Sequence, residues 1–330
     1  MIIITGAAGF IGSILAQHLS RSGKQDLLLV DKFTKPTKWK NLIGMNFTDI
    51  IDRDVFMDHL EKGTLLTNKN ISPKDIDLVL HMGACTDTME FNMDYLMTQN
   101  YEYSKKLCSW CLDNNVRFIY ASSASVYGDG ANGFSDNDDF TSELKPLNPY
   151  GFSKLLFDKW VINNGHNKSI VGLRFFNVFG PNEYHKGKMS SIIYRSFPMA
   201  KKEGVIKLFR SYIKEIENGN QKRDFIYVKD VIKVVDFFMS NKNISGIFNL
   251  GTGKARSFND LAVSILSALD KKIMIEYFDM PDEIKGKYQY FTEADNKKLL
   301  STGYNGGFIR LEDAITDYVK NYLMVPNQHY

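Results

Sequence analysis

The sequence is poor in cysteine and has no long apolar run, and these shortages exclude several classes of protein. Its 330 residues include only three cysteines and six histidines. Neither a His-Glu-x-x-His motif nor a pair of Cys-x-x-Cys motifs is present, so nothing in the sequence predicts a bound metal. No segment approaches the roughly 18 apolar residues of a membrane span, and the first residues lack the basic stretch that begins a signal peptide. We therefore expect a cytoplasmic protein.

The sequence also lacks a strong excess of either charge. The net charge is +3, with both signs mixed along the chain, which is too small to predict binding to nucleic acid or to an anionic membrane. It is compatible with a local basic pocket for a phosphorylated small molecule. Hydrophobic residues make up 44% of the chain, enough for a sizeable core in one large domain or in two smaller domains that share an interface.

Two of the cysteines, Cys108 and Cys111, have the Cys-x-x-Cys spacing of a redox pair. They fall inside a predicted helix and not at the end of a strand. We therefore interpret them as buried helix residues, and the sequence does not favour disulfide chemistry.

The first twelve residues are typical of a dinucleotide site. A short apolar run, residues 2–4, leads to glycines at positions 6, 9 and 12, and a helical pattern follows. Such a turn directs backbone N–H groups and a helix N-terminus at a pyrophosphate. Asp31 ends the next apolar run, nineteen residues after Gly12, at about the spacing that places a carboxylate near the adenosine ribose.

Apolar runs and helical patterns alternate through the first half of the chain. We predict strands at residues 2–5, 27–31, 78–82, 118–122, 170–175, 223–229 and 246–250. We predict helices at residues 10–22, 95–113, 150–164, 230–239, 257–269 and 311–323. Asp230 and the pair Ser257 and Asp260 are expected to cap two of these helices. Repeated strand–helix units predict an α/β fold with a Rossmann-type, doubly wound parallel sheet, which binds its ligand at the carboxyl ends of the strands.

The pattern loosens after about residue 176, and residues 211–222 are typical of an exposed loop. We expect residues 1–176 to form the dinucleotide-binding domain, with later segments such as 225–250 returning to it. Residues 177–330 are expected to form mainly a smaller, interleaved α/β lobe that binds the substrate.

Two motifs near the expected opening of the sheet indicate acid–base chemistry. Residues 122–128 (Ser-Ser-Ala-Ser-Val-Tyr-Gly) follow a strand, and Pro149 suits the first position of a helix that carries Tyr150 and Lys154. These two side chains are four residues apart and share one helical face. A tyrosine with a pKa of about 10 is too weak a base at neutral pH, and a nearby ammonium group lowers that pKa. Ser123 is placed to hold the reacting oxygen by a hydrogen bond.

Residues 5–12, residues 122–128 and the Tyr150-x-x-x-Lys154 pair together resemble the extended short-chain dehydrogenase/reductases, which act mainly on nucleotide sugars. Further segments are similar to those of nucleotide-sugar epimerases that act on an ADP-linked heptose: residues 81–86, 100–105, 174–181, 183–187, 222–228, 246–253 and 285–289. The similarity runs over nearly the whole chain, and its most specific parts are residues 183–187 and 285–289.

The resemblance implies an isomerase that inverts C6″ of ADP-D-glycero-β-D-manno-heptose to the L-glycero epimer, which supplies the lipopolysaccharide core. Hydride would leave C6″ for a tightly held NADP and return to the other face of a transient ketone. Tyr150 would be one acid/base and Lys186 the second. Lys154 would lower the pKa of Tyr150 and hold the ribose, and Ser123 would assist. The resemblance also implies a homo-oligomer, a pentamer or larger.

The choice between NAD and NADP depends on charges that oppose one another. Asp31 by itself favours NAD, because a carboxylate repels a 2′-phosphate. Lys32, Lys38 and Arg53 would surround that phosphate with positive charge, and the family uses NADP, which we expect here. The cofactor residues that the motifs and the resemblance imply are Gly6, Gly9, Phe10, Ile11, Gly12, Asp31, Lys32, Lys38, Arg53, Met82, Gly83, Ala84, Cys85, Thr86, Gln99, Asn100, Lys154, Val178 and Lys186.

The resemblance also implies the residues that hold the sugar nucleotide. Arg223 suits a diphosphate because its planar guanidinium presents a fork of donors. The sequence departs from the family at Met82, where relatives often carry an acid, and at Lys188 and Arg195, where they carry smaller or different polar residues. The predicted substrate residues are Ser123, Asn177, Lys188, Arg195, Phe209, Arg210, Arg223 and Tyr288.

Three other functions are compatible with the same fold to different degrees. A sugar-nucleotide 4,6-dehydratase needs an acid and a base where Ala124 and Ser125 stand, so the sequence disfavours it. A cofactor-sensing binding protein without catalysis would typically have lost Tyr150 or Lys154, and both are present. A UDP-sugar 4-epimerase remains an alternative, because its strand-end motif is nearly the same.

Overall fold

The computed structural model describes residues 1–24, 26–64, 71–285, 288–326 and 328–330. Gly286 and Lys287, inside the segment 285–289 quoted above, lie outside the described residues.

In the described residues, seven strands form one parallel sheet in the order β3-β2-β1-β4-β5-β6-β10. This sheet confirms the predicted Rossmann-type α/β fold. Every residue of β1, β2, β4, β6 and β10 is buried, as expected when helices cover both faces of a sheet. The strands are β1 (Ile2–Thr5), β2 (Leu27–Asp31), β3 (Asp49–Asp52), β4 (Leu78–His81), β5 (Arg117–Ser123), β6 (Val171–Phe175), β7 (Asn177–Phe179), β8 (Ile206–Phe209), β9 (Lys222–Tyr227), β10 (Gly246–Leu250), β11 (Ala255–Ser257) and β12 (Ile275–Phe278).

The helices cover the sheet in two layers, and their apolar faces form the cores on its two sides. The α-helices of the described residues are α1 (Phe10–Arg21), α2 (Arg53–Glu61), α3 (Met93–Leu96), α4 (Tyr103–Asp113), α5 (Pro149–Asn163), α6 (Ile192–Glu203), α7 (Val228–Ser240), α8 (Phe258–Ala268), α9 (Asp282–Lys285), α10 (Lys297–Ser301) and α11 (Leu311–Tyr318). None of the helices in these ranges is long and apolar enough to cross a membrane.

Helix ends mostly agree with the sequence, with one correction. The capping box of Ser257 and Asp260 is present at the start of α8. Asp230 does not cap α7, which already begins at Val228, and it lies in the first turn of that helix. The helix predicted at residues 95–113 is α3 and α4 joined by a π-helical stretch, Met97–Glu102.

Cys108 and Cys111 are buried inside α4, as expected, and burial raises the pKa of the Cys108 thiol to about 12. The described cysteines are all free of disulfides. This environment keeps the thiols of α4 protonated and unreactive.

The second half of the chain adds smaller sheets beside the carboxyl edge of the main one. Strand β9 pairs with β7 in parallel and with β11 antiparallel, and β12 pairs with β8 in parallel. The chain then returns to the main sheet, because α7 packs on α1 and β10 pairs with β6. In that contact His18 Nε2 lies 2.6 Å from a carboxylate oxygen of Asp236. The division of the chain at residue 176 remains a prediction.

Candidate functional site

The turn between β1 and α1 is compact because its glycines approach backbone closely. Gly6 has φ +65°, and a Cβ there would lie 2.7 Å from Gly83 Cα. A Cβ on Gly12 would lie 2.2 Å from Gly6 O. The turn closes with a hydrogen bond of 2.9 Å from Gly9 N–H to Gly6 O. Helix α1 follows at once, so its first N–H groups are available to a pyrophosphate, as the sequence predicted.

Asp31 ends β2 and is buried beside this turn. Its carboxylate accepts hydrogen bonds from Ala8 N–H at 2.7 Å and from Lys32 N–H at 2.6 Å, and it forms an ion pair with Lys38. The carboxylate is therefore already neutralised by a lysine. This pairing weakens the repulsion that Asp31 alone would exert on a 2′-phosphate.

The other predicted basic residues lie next to this corner. Lys32 and Arg53 both pair with the carboxylate of Asp54, Arg53 at 2.7 Å. Arg53 also donates to Gln99 Oε1. The structure thus brings these predicted cofactor residues together, although each side chain is engaged with protein groups.

The segment that follows β4 is held by a buried histidine. Ser104 Oγ donates to Asn100 O at 2.6 Å and lies 2.9 Å from His81 Nε2. Since that hydroxyl has used its hydrogen, Nε2 must carry the imidazole proton, and Nδ1 accepts from Thr5 Oγ1 at 2.6 Å. Thr5 Oγ1 in turn accepts from Gly83 N–H at 3.2 Å. The chain of hydrogen bonds fixes Gly83 against the end of β1.

Asn100 acts as a support within this network. Its buried amide accepts from Cys85 N–H at 2.8 Å and donates to Cys85 O and to Ser153 Oγ, both at 3.0 Å. The predicted segment 82–86 is therefore tied to α5, which carries Tyr150. Asn100 was predicted to contact the cofactor. In the structure, its side-chain oxygen and nitrogen are both hydrogen-bonded to protein groups.

Tyr150 and Lys154 lie on α5, whose first turn is capped by Asn148. The Asn148 side chain accepts from Gly151 N–H at 2.8 Å, and Pro149 occupies the first helical position. Lys154 is only 5% exposed and donates from Nζ to Ala121 O at 2.8 Å. Burial lowers the pKa of Lys154 to about 8, while the negative charge of a nearby carboxylate opposes that shift.

The predicted lowering of the Tyr150 pKa by Lys154 stays a prediction. Burial raises the pKa of Tyr150, which is 8% exposed, and the hydrogen bond with Ser123 partly lowers it. Tyr150 is therefore protonated here, with a hydroxyl partner at Ser123.

Lys186 lies in a short 3₁₀ segment, Tyr184–Met189, beside the start of α1. Its ammonium nitrogen lies 5.5 Å from the centroid of the Phe10 ring. Burial lowers the pKa of Lys186, and the negative charge of Glu183 opposes that shift. Glu183 itself is buried and accepts from Ser191 Oγ at 2.6 Å and from Tyr318 OH at 3.0 Å.

Arg223 projects from β9 without a carboxylate partner among the described residues. It is 7% exposed, its Cζ lies 5.2 Å from the centroid of the Tyr288 ring, and burial lowers its pKa to about 10. Arg195 is more exposed than Arg223 but likewise has no ion pair within the described ranges, and its partial burial lowers its pKa. A buried guanidinium without a counter-ion favours the arrival of an anion.

One cleft of about 500 Å³ connects these groups. Its described lining includes the cations Lys154, Lys186, Arg195 and Arg223, and it includes no aspartate or glutamate. The predicted residues that line it are Phe10, Ile11, Met82, Ala84, Thr86, Ser123, Tyr150, Lys154, Asn177, Val178, Lys186, Arg195, Arg223 and Tyr288. The cleft therefore suits an anionic ligand and presents two tyrosines and two lysines to it.

The structure does not bring every predicted residue to this cleft. Lys188 is exposed and absent from the lining, so its assignment to the substrate stays a prediction. Arg210 is exposed and pairs with Asp279 at 3.2 Å. Phe209 lies outside the lining, and the centroid of its ring is 6.3 Å from that of the Tyr288 ring. The other predicted residues outside the lining are Gly6, Gly9, Gly12, Asp31, Lys32, Lys38, Arg53, Gly83, Cys85, Gln99 and Asn100.

The cleft also contains polar residues that the sequence analysis did not assign to it. Thr88 and Met189 meet across it, with Thr88 Oγ1 donating to the thioether sulfur at 3.5 Å. Ser125 lies beside Ser123 and accepts its hydroxyl at 3.2 Å. Gln289 lines the cleft as well, and its place in the segment 285–289 was the one signal that pointed to it.

Comparison with known proteins gives a consistent result over the whole chain. The model of the NAD dependent epimerase/dehydratase family matches residues 2–251. The ADP-L-glycero-D-manno-heptose-6-epimerase of Nitratidesulfovibrio vulgaris is 47% identical over 329 residues, covering 100% of both chains. That of Fusobacterium nucleatum is 44% identical, covering 98% of each chain.

Solved structures show the same similarity. The Helicobacter pylori ADP-L-glycero-D-manno-heptose-6-epimerase superposes with a TM-score of 0.79 at 30% identity, covering 98% of this chain and 96% of that one. The UDP-glucuronic acid 4-epimerase of Bacillus cereus, in complex with UDP-glucuronic acid and NAD, gives 0.74 at 25% identity, covering 97% and 99%. Both similarities extend over the main sheet and over the smaller sheets beside it.

Proposed function

Because this chain belongs to the NAD dependent epimerase/dehydratase family, we propose that it inverts C6″ of ADP-D-glycero-β-D-manno-heptose to give the L-glycero epimer. Curated relatives at 42% to 48% identity are all named for the 6-epimerase. The 4-epimerase neighbour is more distant, at 25%, so we do not adopt the UDP-sugar alternative. The product is the heptose donor for the lipopolysaccharide core.

The observation that carries this proposal is the cleft itself. It joins Tyr150 and Ser123 to four cations without an acidic residue in its described lining. A nucleotide sugar brings a diphosphate that needs cations and a hydroxyl that needs a proton acceptor. The acid and base of a dehydratase are missing, because Ala124 and Ser125 occupy their expected positions in the cleft wall.

The cofactor is a nicotinamide dinucleotide, and we propose that it is NADP. The glycine turn at the N-terminus of α1 fits a pyrophosphate, since a side chain there would collide with backbone. Lys38 neutralises Asp31, and Lys32 and Arg53 lie at the same corner. These cations suit a 2′-phosphate. When bound, the nicotinamide supplies a hydride acceptor and donor. Mass analysis of the nucleotide that copurifies with the protein tests the choice between NADP and NAD.

Tyr150 is proposed as the acid/base for one epimer. It takes the C6″ hydroxyl proton while the hydride departs, which converts that carbon to a ketone, and Ser123 donates a hydrogen bond to the reacting oxygen. The buried ammonium of Lys154 holds the ribose and contributes positive charge near the phenol. Because Lys154 has a pKa of about 8, it is mostly charged at neutral pH.

Lys186 is proposed as the second acid/base. After the ketone has rotated in the cleft, its oxygen faces away from Tyr150. The proton that this oxygen needs when the hydride returns must therefore come from another direction. Lys186 lines the same cleft on the side of α1 and Phe10. A burial-lowered pKa makes its ammonium a better proton donor than an exposed lysine.

The substrate nucleotide is proposed to lie on the elements that follow residue 176. Arg223 and Arg195 would meet the diphosphate, and Tyr288 would pack beside it. Asn177, at the start of β7, lines the same cleft. We further propose a cytoplasmic homo-oligomer, a pentamer or larger, which analytical ultracentrifugation tests.

The reaction is tested with ADP-D-glycero-β-D-manno-heptose that carries deuterium at C6″. We expect inversion of that centre with the label retained, as followed by NMR, because the same hydride leaves and returns. Loss of the label to solvent would require deprotonation at carbon and would contradict the mechanism. UDP-glucuronic acid offered to the same enzyme is the specificity control, and we expect no inversion of it.

A further inference from the structure

Two buried asparagines that the sequence analysis did not single out join the Lys186 segment to the dinucleotide turn. Asn41 is 4% exposed, and its amide nitrogen donates to Ala8 O and to Asn182 O, both at 3.0 Å. The same nitrogen lies 3.3 Å from His185 Nδ1. Ala8 belongs to the glycine turn, and Asn182 and His185 flank the start of the segment that carries Lys186. One side chain thus bridges two parts of the site that are far apart in sequence.

Asn182 extends this bridge to α1. It is 1% exposed, and its amide nitrogen donates to Ser13 Oγ at 3.0 Å. Ser13 Oγ in turn donates to Phe10 O at 3.0 Å. The side-chain oxygen of Asn182, Oδ1, accepts from Tyr330 N–H at 3.0 Å, whereas its backbone oxygen accepts from Asn41. Both polar atoms of the side-chain amide are therefore used, and the nitrogen connects the segment to the first turn of α1.

The backbone at Asn182 explains why asparagine stands there. Its φ of +71° lies in the left-handed region, which asparagine tolerates better than most residues with a side chain. A glycine would adopt the same backbone but would leave Ser13 without this donor. The position therefore combines a turn requirement with two side-chain hydrogen bonds.

The Lys186 segment turns at a glycine in its centre, which adds no side-chain contact of its own. Gly187, next to Lys186, has φ +55°, and a Cβ there would meet nothing within 4 Å. The segment is fixed at its far end by Ser190, which donates to Gly187 O at 2.6 Å. At its near end Asn41 Nδ2 lies 3.3 Å from His185 Nδ1, and Lys186 N–H donates to Glu183 O at 3.0 Å.

We propose that Asn41 and Asn182 are positioning residues that hold the Lys186 ammonium at the start of α1, where it serves as the second acid/base. This proposal rests on the proposed role of Lys186. Because the bridge also includes Ala8 and Ser13, the same bonds keep the Lys186 segment in register with the turn that binds the dinucleotide pyrophosphate. A displacement of Lys186 by about 1 Å would cost up to about 10²-fold in rate.

The test substitutes Asn182 in two ways that preserve its backbone. Asn182→Gly keeps the left-handed conformation and removes the amide, and Asn182→Asp keeps the shape and removes the donor to Ser13. We expect either change to lower kcat by about 10- to 100-fold, with KM for the sugar nucleotide nearly unchanged. Asn115→Gly is the matched control, because Asn115 also has positive φ, +57°, but is exposed and outside the cleft. Its kcat should equal that of the native enzyme.

A double-mutant cycle with Lys186→Met separates this proposal from a general structural effect. If Asn182 acts through Lys186, Asn182→Gly has no further effect on the residual kcat of Lys186→Met. An equal loss in both backgrounds, or an unchanged kcat for both Asn182 variants, would overturn the proposal while the role of Lys186 stands. Full activity of Lys186→Met alone would overturn both. Circular dichroism and retention of the nucleotide confirm that each variant is folded.

Discussion

Acidification should destabilise this protein through one buried histidine. His81 is 2% exposed at the end of β4, and both its ring nitrogens are already engaged, Nε2 as donor to Ser104 and Nδ1 as acceptor from Thr5. Burial lowers the pKa of His81 to about 3, and the charge of Lys154 acts in the same direction. A second ring proton would replace the acceptor at Nδ1 with a donor. It would break the hydrogen bond between Thr5 Oγ1 and His81 Nδ1, which is part of the chain of bonds that fixes Gly83 against β1.

The direction and size of the effect follow from linkage. The unfolded chain has a histidine pKa of about 6.5, so between about pH 3 and 6.5 it binds more protons at this residue than the native protein does. The stabilising contribution is therefore complete above about pH 6.5 and is lost as the pH falls toward 3. At pH 5 the loss from His81 amounts to about 2 kcal/mol relative to neutral pH.

Equilibrium urea unfolding of the native protein and of His81→Gln measures this quantity. The fall in the free energy of unfolding from about pH 7.5 to 5 should be smaller in the variant by about 2 kcal/mol. Comparing the two pH values cancels whatever the substitution costs at neutral pH. His59→Gln, on the surface of α2, controls for the loss of an imidazole as such. An identical fall in His81→Gln and native protein, or an NMR titration of His81 near pH 6.5, would refute the reasoning.

Two further predictions concern the cleft. Tyr150→Phe and Lys186→Met should each lower kcat by about 10²-fold or more with the fold intact, measured by NMR at C6″. Lys188→Met, on the exposed neighbour outside the cleft, should keep native activity, and an equal loss there would contradict the assignment of Lys186. Arg223→Lys removes the planar fork that suits a diphosphate and should raise KM by about tenfold, or about 1.4 kcal/mol. Initial rates of Arg210→Lys provide the control. A larger increase in KM for Arg210→Lys than for Arg223→Lys would show that the diphosphate lies elsewhere.

The main sheet was predictable because its central strands are almost wholly apolar. Short apolar runs such as residues 2–4 and 27–30 are typical of strands that are buried on both faces. Strand β3 escaped prediction, since Asp49–Asp52 carries a carboxylate at each end and lies half-exposed at the edge of the sheet. Helix α6 escaped it too, because Pro198 lies inside it and interrupts the usual helical pattern.

The site was predictable where its chemistry depends on local spacing. The glycine turn and the Tyr150–Lys154 pair are each encoded within a few residues. The Asn41–Asn182 bridge is different, because it joins positions 141 residues apart. Asn41 lies in a short 3₁₀ helix and Asn182 in a turn, and neither asparagine carries a sequence signal of a partner at that distance. Only the folded chain shows that these amides connect the dinucleotide turn to Lys186.

Burial affects the pKa of both members of the Tyr150–Lys154 pair, and the spacing of the two residues does not reveal this. An ammonium four residues along the helix was expected to favour the phenolate, but burial acts on both groups at once. Burial raises the pKa of Tyr150 and lowers that of Lys154. Lys154 Nζ also donates a hydrogen bond to Ala121 O. Burial therefore disfavours both the phenolate and the ammonium ion while the cleft holds protein groups alone. A positive charge bound next to Tyr150 would favour the phenolate, and an anion near Lys154 would favour the ammonium. Activation of the tyrosine is thus a property of the loaded cleft, which the residue pattern prepares but does not by itself produce.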